Sequence, residues 1–179
     1  LKGFEVGADG VIVMGCHIGD CHYLEGNYEA EKKYDMLVKF LKLIGFEDRV
    51  RLEWVSASEG TRYGAVVTEF TEHITSLGSS PAGGDNPDKE LLTKLRALRM
   101  AAGGDRMRAL VGRERKITEQ ENVYGEKTDI SEFMKIFDEA VVEEYQRAQI
   151  LISLEEDRKS VKDLAKELEI DTSIVLEHM

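Results

Sequence analysis

A short apolar run, Gly10-Val11-Ile12-Val13-Met14, passes directly into a glycine-bounded loop from Gly15 to Gly26. That succession constrains the fold more than any other feature of the chain. An unbroken run rich in β-branched residues reads as a strand buried on both faces, as in a parallel sheet. A helix is expected next, at about 27–44, with Asn27 as its N-cap and Glu29 and Glu31 where the positive helix end favours anions. Ala30, Tyr34, Leu37, Leu41 and Ile44 make its apolar stripe, and Gly45 ends it. Residues 49–55 alternate, with Val50, Leu52 and Trp54 on one side and Arg49, Arg51 and Glu53 on the other. That pattern predicts a half-exposed strand near a sheet edge. Ser56 and Glu59 have capping-box spacing and open a helix over about 58–77, with Val67, Phe70, Ile74 and Leu77 inward. The order strand–helix–strand–helix argues for a small α/β unit with right-handed crossovers.

The second half reads differently. Residues 78–87, Gly-Ser-Ser-Pro-Ala-Gly-Gly-Asp-Asn-Pro, have the composition of a linker. Asn86 is then expected to cap a helix with Pro87 in its first position and Leu91, Leu95, Leu98 and Ala102 on its apolar side. Gly103-Gly104 breaks it, a basic helix continues to about 112, and 113–128 reads as loop. A long helix follows at about 130–154, capped by Asp129, with Ile130, Phe133 or Met134, Phe137, Val141, Tyr145, Ala148 and Ile152 in its stripe. Two short helices close the chain, one opened by Ser160 and Asp163, the other capped by Asp171 or Thr172 with Ile174, Val175 and Met179 inward. The fold class is therefore α/β: a small parallel-sheet unit over 1–78, then a mostly helical, winged-helix-like unit over 87–179 with a helix-turn-helix-like end.

Charge narrows the function. The net charge is −11, distributed as −6 over 1–87 (8 basic, 14 acidic), +3 over 88–128 (10 and 7) and −8 over 129–179 (6 and 14). A basic middle between acidic flanks suits protein partners better than nucleic acid. Lys94, Arg96, Arg99, Arg106, Arg108, Arg113, Arg115 and Lys116 form the basic stretch, read either as a solvated helix face or as a docking surface for an acidic partner. No apolar run reaches the ~18–20 residues of a membrane helix, and the first ten residues, with Lys2, Glu5 and Asp9, lack a signal peptide's apolar core. A cytoplasmic protein is expected. Leu1 to Gly7 read like the end of a helix, so an N-terminal portion is expected to precede Leu1.

Chemistry concentrates in the loop. Cys16 and Cys21 are the two cysteines of the chain, separated by four residues, with Gly15 and Gly19 letting the backbone fold round a bulky object. Ligands in open α/β sheets bind beyond the carboxyl ends of strands, which is where this loop starts. A four-residue gap occurs in one ligand pair of plant-type 2Fe–2S ferredoxins. Three other readings remain open at this point: free thiols, a zinc site with His17 and His22, and a redox disulfide, whose usual spacing is two residues rather than four. Asp20, Glu25 and Glu59 lie near the loop without a paired catalytic geometry, and no Ser/His/Asp set, Walker loop or Rossmann fingerprint occurs. No catalysis is assigned to the chain itself.

Two stretches carry a family resemblance. Gly7-Ala8-Asp9-Gly10-Val11-Ile12-Val13, Gly15-Cys16-His17-Ile18-Gly19-Asp20-Cys21-His22-Tyr23 and Gly26-Asn27-Tyr28 make the first; Arg51-Leu52-Glu53-Trp54-Val55-Ser56-Ala57-Ser58-Glu59-Gly60 makes the second. Together they resemble the delta subunit of methyl-viologen-reducing hydrogenase, over roughly residues 1–78. The resemblance implies an anaerobic electron-transfer subunit without substrate chemistry of its own. It would carry a 2Fe–2S cluster between a hydrogenase or formate dehydrogenase and a heterodisulfide-reductase-like flavin subunit. It also implies that Cys16 and Cys21 are two of the cluster's ligands. Ile18 stands where many members carry proline, a change expected only to loosen the loop. Further family cysteines lie upstream of the equivalent of Leu1, so the remaining ligands are expected from a preceding segment, or from a second chain, with the fragment by itself metal-free.

The alternative function comes from the other end. The last two helices resemble a helix-turn-helix, which opens a DNA-binding or redox-sensing regulator as the second reading. The would-be recognition helix, Thr172-Ser173-Ile174-Val175-Leu176-Glu177-His178, offers no Arg or Lys to phosphates, and non-specific DNA affinity rests on such contacts. Packing against protein partners suits that acidic segment better.

Overall fold

The computed structural model describes residues 1–155 and 157–179 in full and Glu156 by its backbone. Ten regular elements follow in order: α1 (Lys2–Glu5), β1 (Val11–Gly15), α2 (Gly26–Lys42), β2 (Val50–Trp54), α3 (Gly60–Leu77), α4 (Lys89–Gly103), α5 (Asp105–Glu119), α6 (Ile130–Glu156), α7 (Val161–Leu168) and α8 (Thr172–His178), with a 3₁₀ turn at Glu47–Arg49. The chain divides into two compact units, Leu1–Leu95 and Arg96–Met179.

The first unit is the expected α/β unit. β1 and β2 pair in parallel, Val11 against Val50 through Gly15 against Trp54, and α2 makes the crossover. Both strands therefore end at the same edge, where their loops leave side by side. The expectation that β1 is buried on both faces is corrected: its residues are only partly covered and Val13 is 41% exposed. Among the described residues the sheet has two strands, so each strand keeps an open edge. The core instead gathers Phe4, Phe40, Leu41, Phe46, Val50, Val66 and Phe70. Phe4 and Phe46 meet edge to face with ring centroids 5.6 Å apart, a favourable aromatic geometry.

Arg49, predicted on the exposed face of a strand, is buried. Its guanidinium donates to the carbonyls of Asp9 (2.9 Å), Gly78 (3.0 Å) and Leu77 (3.2 Å), joining the start of β1 to the end of α3. Last-turn carbonyls of a helix have no partners within it, and a buried cation that meets them is strongly favoured. The 78–87 stretch folds back on this unit. Ser80 N–H donates to the Asp9 carboxylate at 2.5 Å, and Ser80 and Ala82 are buried. The division between units falls inside α4, C-terminal to that stretch. The next helix starts later than its proline indicates: Asp88, not Asn86, accepts the Leu91 N–H, at 3.1 Å.

The second unit is helical, and among the described residues no strand follows Trp54, so it has no wing hairpin. α5 reaches Glu119, so the first part of the segment read as loop, 113–119, is helix. Phe133, Phe137, Val141, Tyr145, Ala148 and Ile152 of α6 are buried as their spacing predicts, whereas Ile130 is exposed. Ile150, Leu164, Ala165 and Val175 form a small core joining α6, α7 and α8, and Met179, expected inward, is outside it. Part of the basic stretch is ion-paired within the fold. Arg106 reaches Glu143 (2.5 Å) and Glu144 (3.3 Å), Arg96 reaches Glu155 (2.7 Å), Lys94 reaches Glu90 (2.6 Å) and Arg115 reaches Glu119 (3.4 Å).

Candidate metal centre

The loop at the end of β1 is built from two tight turns. Gly15 closes the strand because the Trp54 ring lies over it; a Cβ there would stand 2.7 Å from Trp54 Cζ3. Asp20 N–H then donates to the His17 carbonyl at 2.9 Å, a four-residue turn with Gly19 at φ +92°, the left-handed position that favours glycine. In the second turn Leu24 N–H donates to the Cys21 carbonyl at 2.9 Å, and Leu24 itself takes a positive φ of 58°. A leucine in that region is strained. Its side chain and that of Tyr23 point into solvent, 79% and 82% exposed.

Both cysteines reach the first turn of α2. A Cβ on Gly26 would lie 2.9 Å from Cys21 Sγ, so glycine at that position makes room for the sulfur. Cys16 Sγ lies 3.8 Å from Asn27 Oδ1 and 3.7 Å from Asn27 Nδ2. The two thiols are unpaired and partly buried. The backbone N–H groups at the start of a 17-residue helix make this a site that stabilises added negative charge.

Asn27 is not the N-cap that its residue type indicates. α2 begins one residue earlier, and the Asn27 side chain turns inward, 3% exposed, to donate to the carbonyls of Cys16 and His17. A second tie comes from the neighbouring strand end. Glu59 Oε2 lies 2.5 Å from His17 Nε2 and also accepts the Ser56 N–H at 2.7 Å. The predicted Ser56–Glu59 capping box does not open α3: the helix starts at Gly60 with Glu59 itself in the N-cap position and no side-chain cap, and the Ser56 contact lies in the turn before it. The Ser56 N–H, and secondarily His17, hold the Glu59 carboxyl below the usual carboxylate range. Asn27 and Glu59 thus fasten the cysteine loop from α2 and from the start of α3. Neither role is legible from spacing, although both residues stand inside the stretches that carry the resemblance.

For metal binding this arrangement offers two sulfurs and little else. His17 is engaged by Glu59, and His22 packs edge-on to Tyr23, with centroids 5.3 Å apart. Among the described residues no three His, Cys, Asp or Glu side chains converge as a metal-binding group. Two thiols are half of a four-thiolate site, and among the described residues they complete neither an iron–sulfur site nor a zinc site.

Comparison with known proteins points to the same region. Residues 1–78 match the family model described as methyl-viologen-reducing hydrogenase, delta subunit. An iron-sulfur subunit of the F420-non-reducing hydrogenase of Archaeoglobus profundus is 58% identical over 73 residues, 40% of this chain and 53% of that protein. An iron-sulfur subunit of the vhc F420-non-reducing hydrogenase of Methanococcus voltae is 44% identical over 79 residues, 44% of this chain and 55% of that protein. One subunit of the ferredoxin:CoB-CoM heterodisulfide reductase of Methanosarcina mazei is 42% identical over 79 residues, 44% of this chain and 10% of that protein. The matched part of the chain spans about half the length of the hydrogenase relatives. The resemblance read from the two sequence stretches is thus borne out over residues 1–78. Among the described residues no helix is long and apolar enough to cross a membrane.

Proposed function

We propose that this chain is part of an electron-transfer subunit in which Cys16 and Cys21 supply two ligands of a 2Fe–2S cluster. The cluster would relay electrons from a hydrogenase or formate dehydrogenase to a heterodisulfide-reductase-like flavin subunit, in the cytoplasm. One observation carries the reading: both thiols lie at the first turn of α2, on a loop inside the stretch matched by the family model. Relatives named as iron-sulfur hydrogenase subunits and as part of a heterodisulfide reductase support the class of cofactor and of partner. When bound, such a cluster takes up and releases one electron without proton or group transfer. The chain's own part is to hold two sulfurs, to offset the cluster's negative charge with the α2 N-terminus, and to keep the loop from moving between oxidation states.

The test is anaerobic purification of the full-length protein together with whatever binds it. Recovery of a flavin- and iron–sulfur-containing partner, with reduction of the bound cluster when the hydrogenase is given hydrogen or the formate dehydrogenase is given formate, is the expected result. Stoichiometric zinc in place of iron, or specific retention of duplex DNA at physiological salt with no protein partner, would contradict it.

A further inference from the structure

Asn27 stands out among the polar groups of the first unit because it is buried at a helix end where its side chain could have faced water. Its Nδ2 carries two hydrogens, and two successive carbonyls of the cysteine loop, those of Cys16 and His17, accept from it. The His17 carbonyl also accepts the Asp20 N–H at 2.9 Å, so the same peptide group is held by the amide and by the turn. Both polar atoms of the amide stand 3.7–3.8 Å from Cys16 Sγ, which limits how that side chain can rotate. Cys21 has no hydrogen bond to Asn27; its sulfur occupies space that a Cβ on Gly26 would crowd. One buried side chain therefore contacts Cys16 directly and not Cys21.

We propose that Asn27 is the positioning residue of the metal centre: its amide fixes the backbone that follows Cys16 and so presets the direction from which the Cys16 sulfur meets a cluster. The proposal rests on the reading of Cys16 as a ligand. A loop fixed in advance loses little conformational entropy on metal binding and resists rearrangement when the cluster's charge changes. Asn27→Asp keeps the shape but replaces the donor with an oxygen facing two carbonyl oxygens. Asn27→Ala removes the group.

Two measurements test this. In the metal-free chain, iodoacetamide labelling of Cys16 and Cys21 is followed separately by peptide mass spectrometry. Asn27→Ala should label Cys16 about thirtyfold faster, the factor expected from losing two hydrogen bonds of about 1 kcal/mol each; Asn27→Asp also sets a carboxylate beside the sulfur, which disfavours the reactive thiolate, and is not expected to label faster. Cys21, which Asn27 does not touch, should change by less than about twofold on the same reasoning. Unchanged Cys16 labelling in Asn27→Ala, or an equal rise at both cysteines, would overturn the proposal. Asn27→Ser supplies the same comparison if Asn27→Ala loses the helicity of α2. In the iron-loaded full-length protein, Asn27→Ala should retain iron while its visible circular dichroism and reduction potential change; identical spectra and potential would count against a positioning role. If Cys16→Ser leaves the iron content untouched, the ligand reading fails while the labelling still reports on the clamp.

Discussion

The cysteine loop and the turn between α7 and α8 are both short connections into a helix, and they are held by different means. The α7–α8 turn is fixed by its own neighbours. Ile170 N–H returns to the Ala165 carbonyl at 3.1 Å, Glu169 takes the left-handed region at φ 55°, and the Asp171 carboxylate accepts the Ser173 N–H at 2.8 Å. The cysteine loop has its own turn bonds and is tied in addition from a distance: by Asn27, up to 11 residues from its partners, and by Glu59, 42 residues from His17. Local capping fixes the α7–α8 pair through residues next to each helix start. Long-range ties make the cysteine loop harder to move, because moving it requires breaking contacts with two other elements.

The comparison predicts which part of the molecule responds to each substitution. The largest effect is expected in the helical unit. Leu164→Ala empties a fully buried position in the Ile150–Leu164–Val175 core and should cost about 2–5 kcal/mol, melting α7 and α8 while β1, β2 and the cysteine loop keep their hydrogen-exchange protection. Loss of protection in both units together would mean that they do not fold separately.

Arg49→Met is the converse. It leaves three carbonyls of the first unit without their donor and should cost about 2–3 kcal/mol, with faster exchange at β1 and at the end of α3 and none at α7–α8. A change below ~0.5 kcal/mol in chemical denaturation would show that this tie is dispensable.

Acid offers a milder probe. The Ser160 hydroxyl, then the Ser160 backbone N–H, hold the Asp163 carboxyl below its ordinary value; the Ser173 backbone N–H, then its hydroxyl, do the same for Asp171. A carboxylate depressed in the folded state stabilises at pH above its unfolded value and loses that contribution as pH falls through the folded one. The helicity of α7–α8 should therefore decline as pH drops below about 4, and Asp163→Asn with Asp171→Asn should flatten that decline. Identical acid profiles in the wild type and the double variant would remove the caps from the account.

The smallest effect is expected at the basic stretch. Arg96 and Glu155 are 48% and 49% exposed, so Arg96→Gln should change stability by no more than ~0.5 kcal/mol. A larger loss would mean that this surface pair contributes to the unit's cohesion.

The same contrast explains what the sequence discloses. Ser160 with Asp163, Asp129 and Asp171 are legible as caps because donor and acceptor lie within three residues, and each makes the bond its spacing predicts. The α6 stripe is legible because burial follows the helical period. Asn27 misleads by the same logic: beside a helix start it resembles a cap, and only the return of the loop over α2 shows that its partners are Cys16 and His17. Arg49 misleads because strand alternation assigns a face without showing that the end of α3 covers it. The cysteines are legible as a candidate site from residue type, glycines and position after a strand. That each sulfur lies against the first turn of α2, with Cys21 where only a glycine at 26 leaves room, is not revealed by spacing alone.

The most direct test is the iron and acid-labile sulfide content of the anaerobically purified full-length protein beside its Cys16→Ser and Cys21→Ser variants. A 2Fe–2S site predicts equal iron and sulfide in the wild type, with loss of the visible absorption in each variant. Unchanged iron content in both variants would remove Cys16 and Cys21 from the ligand set and contradict the account.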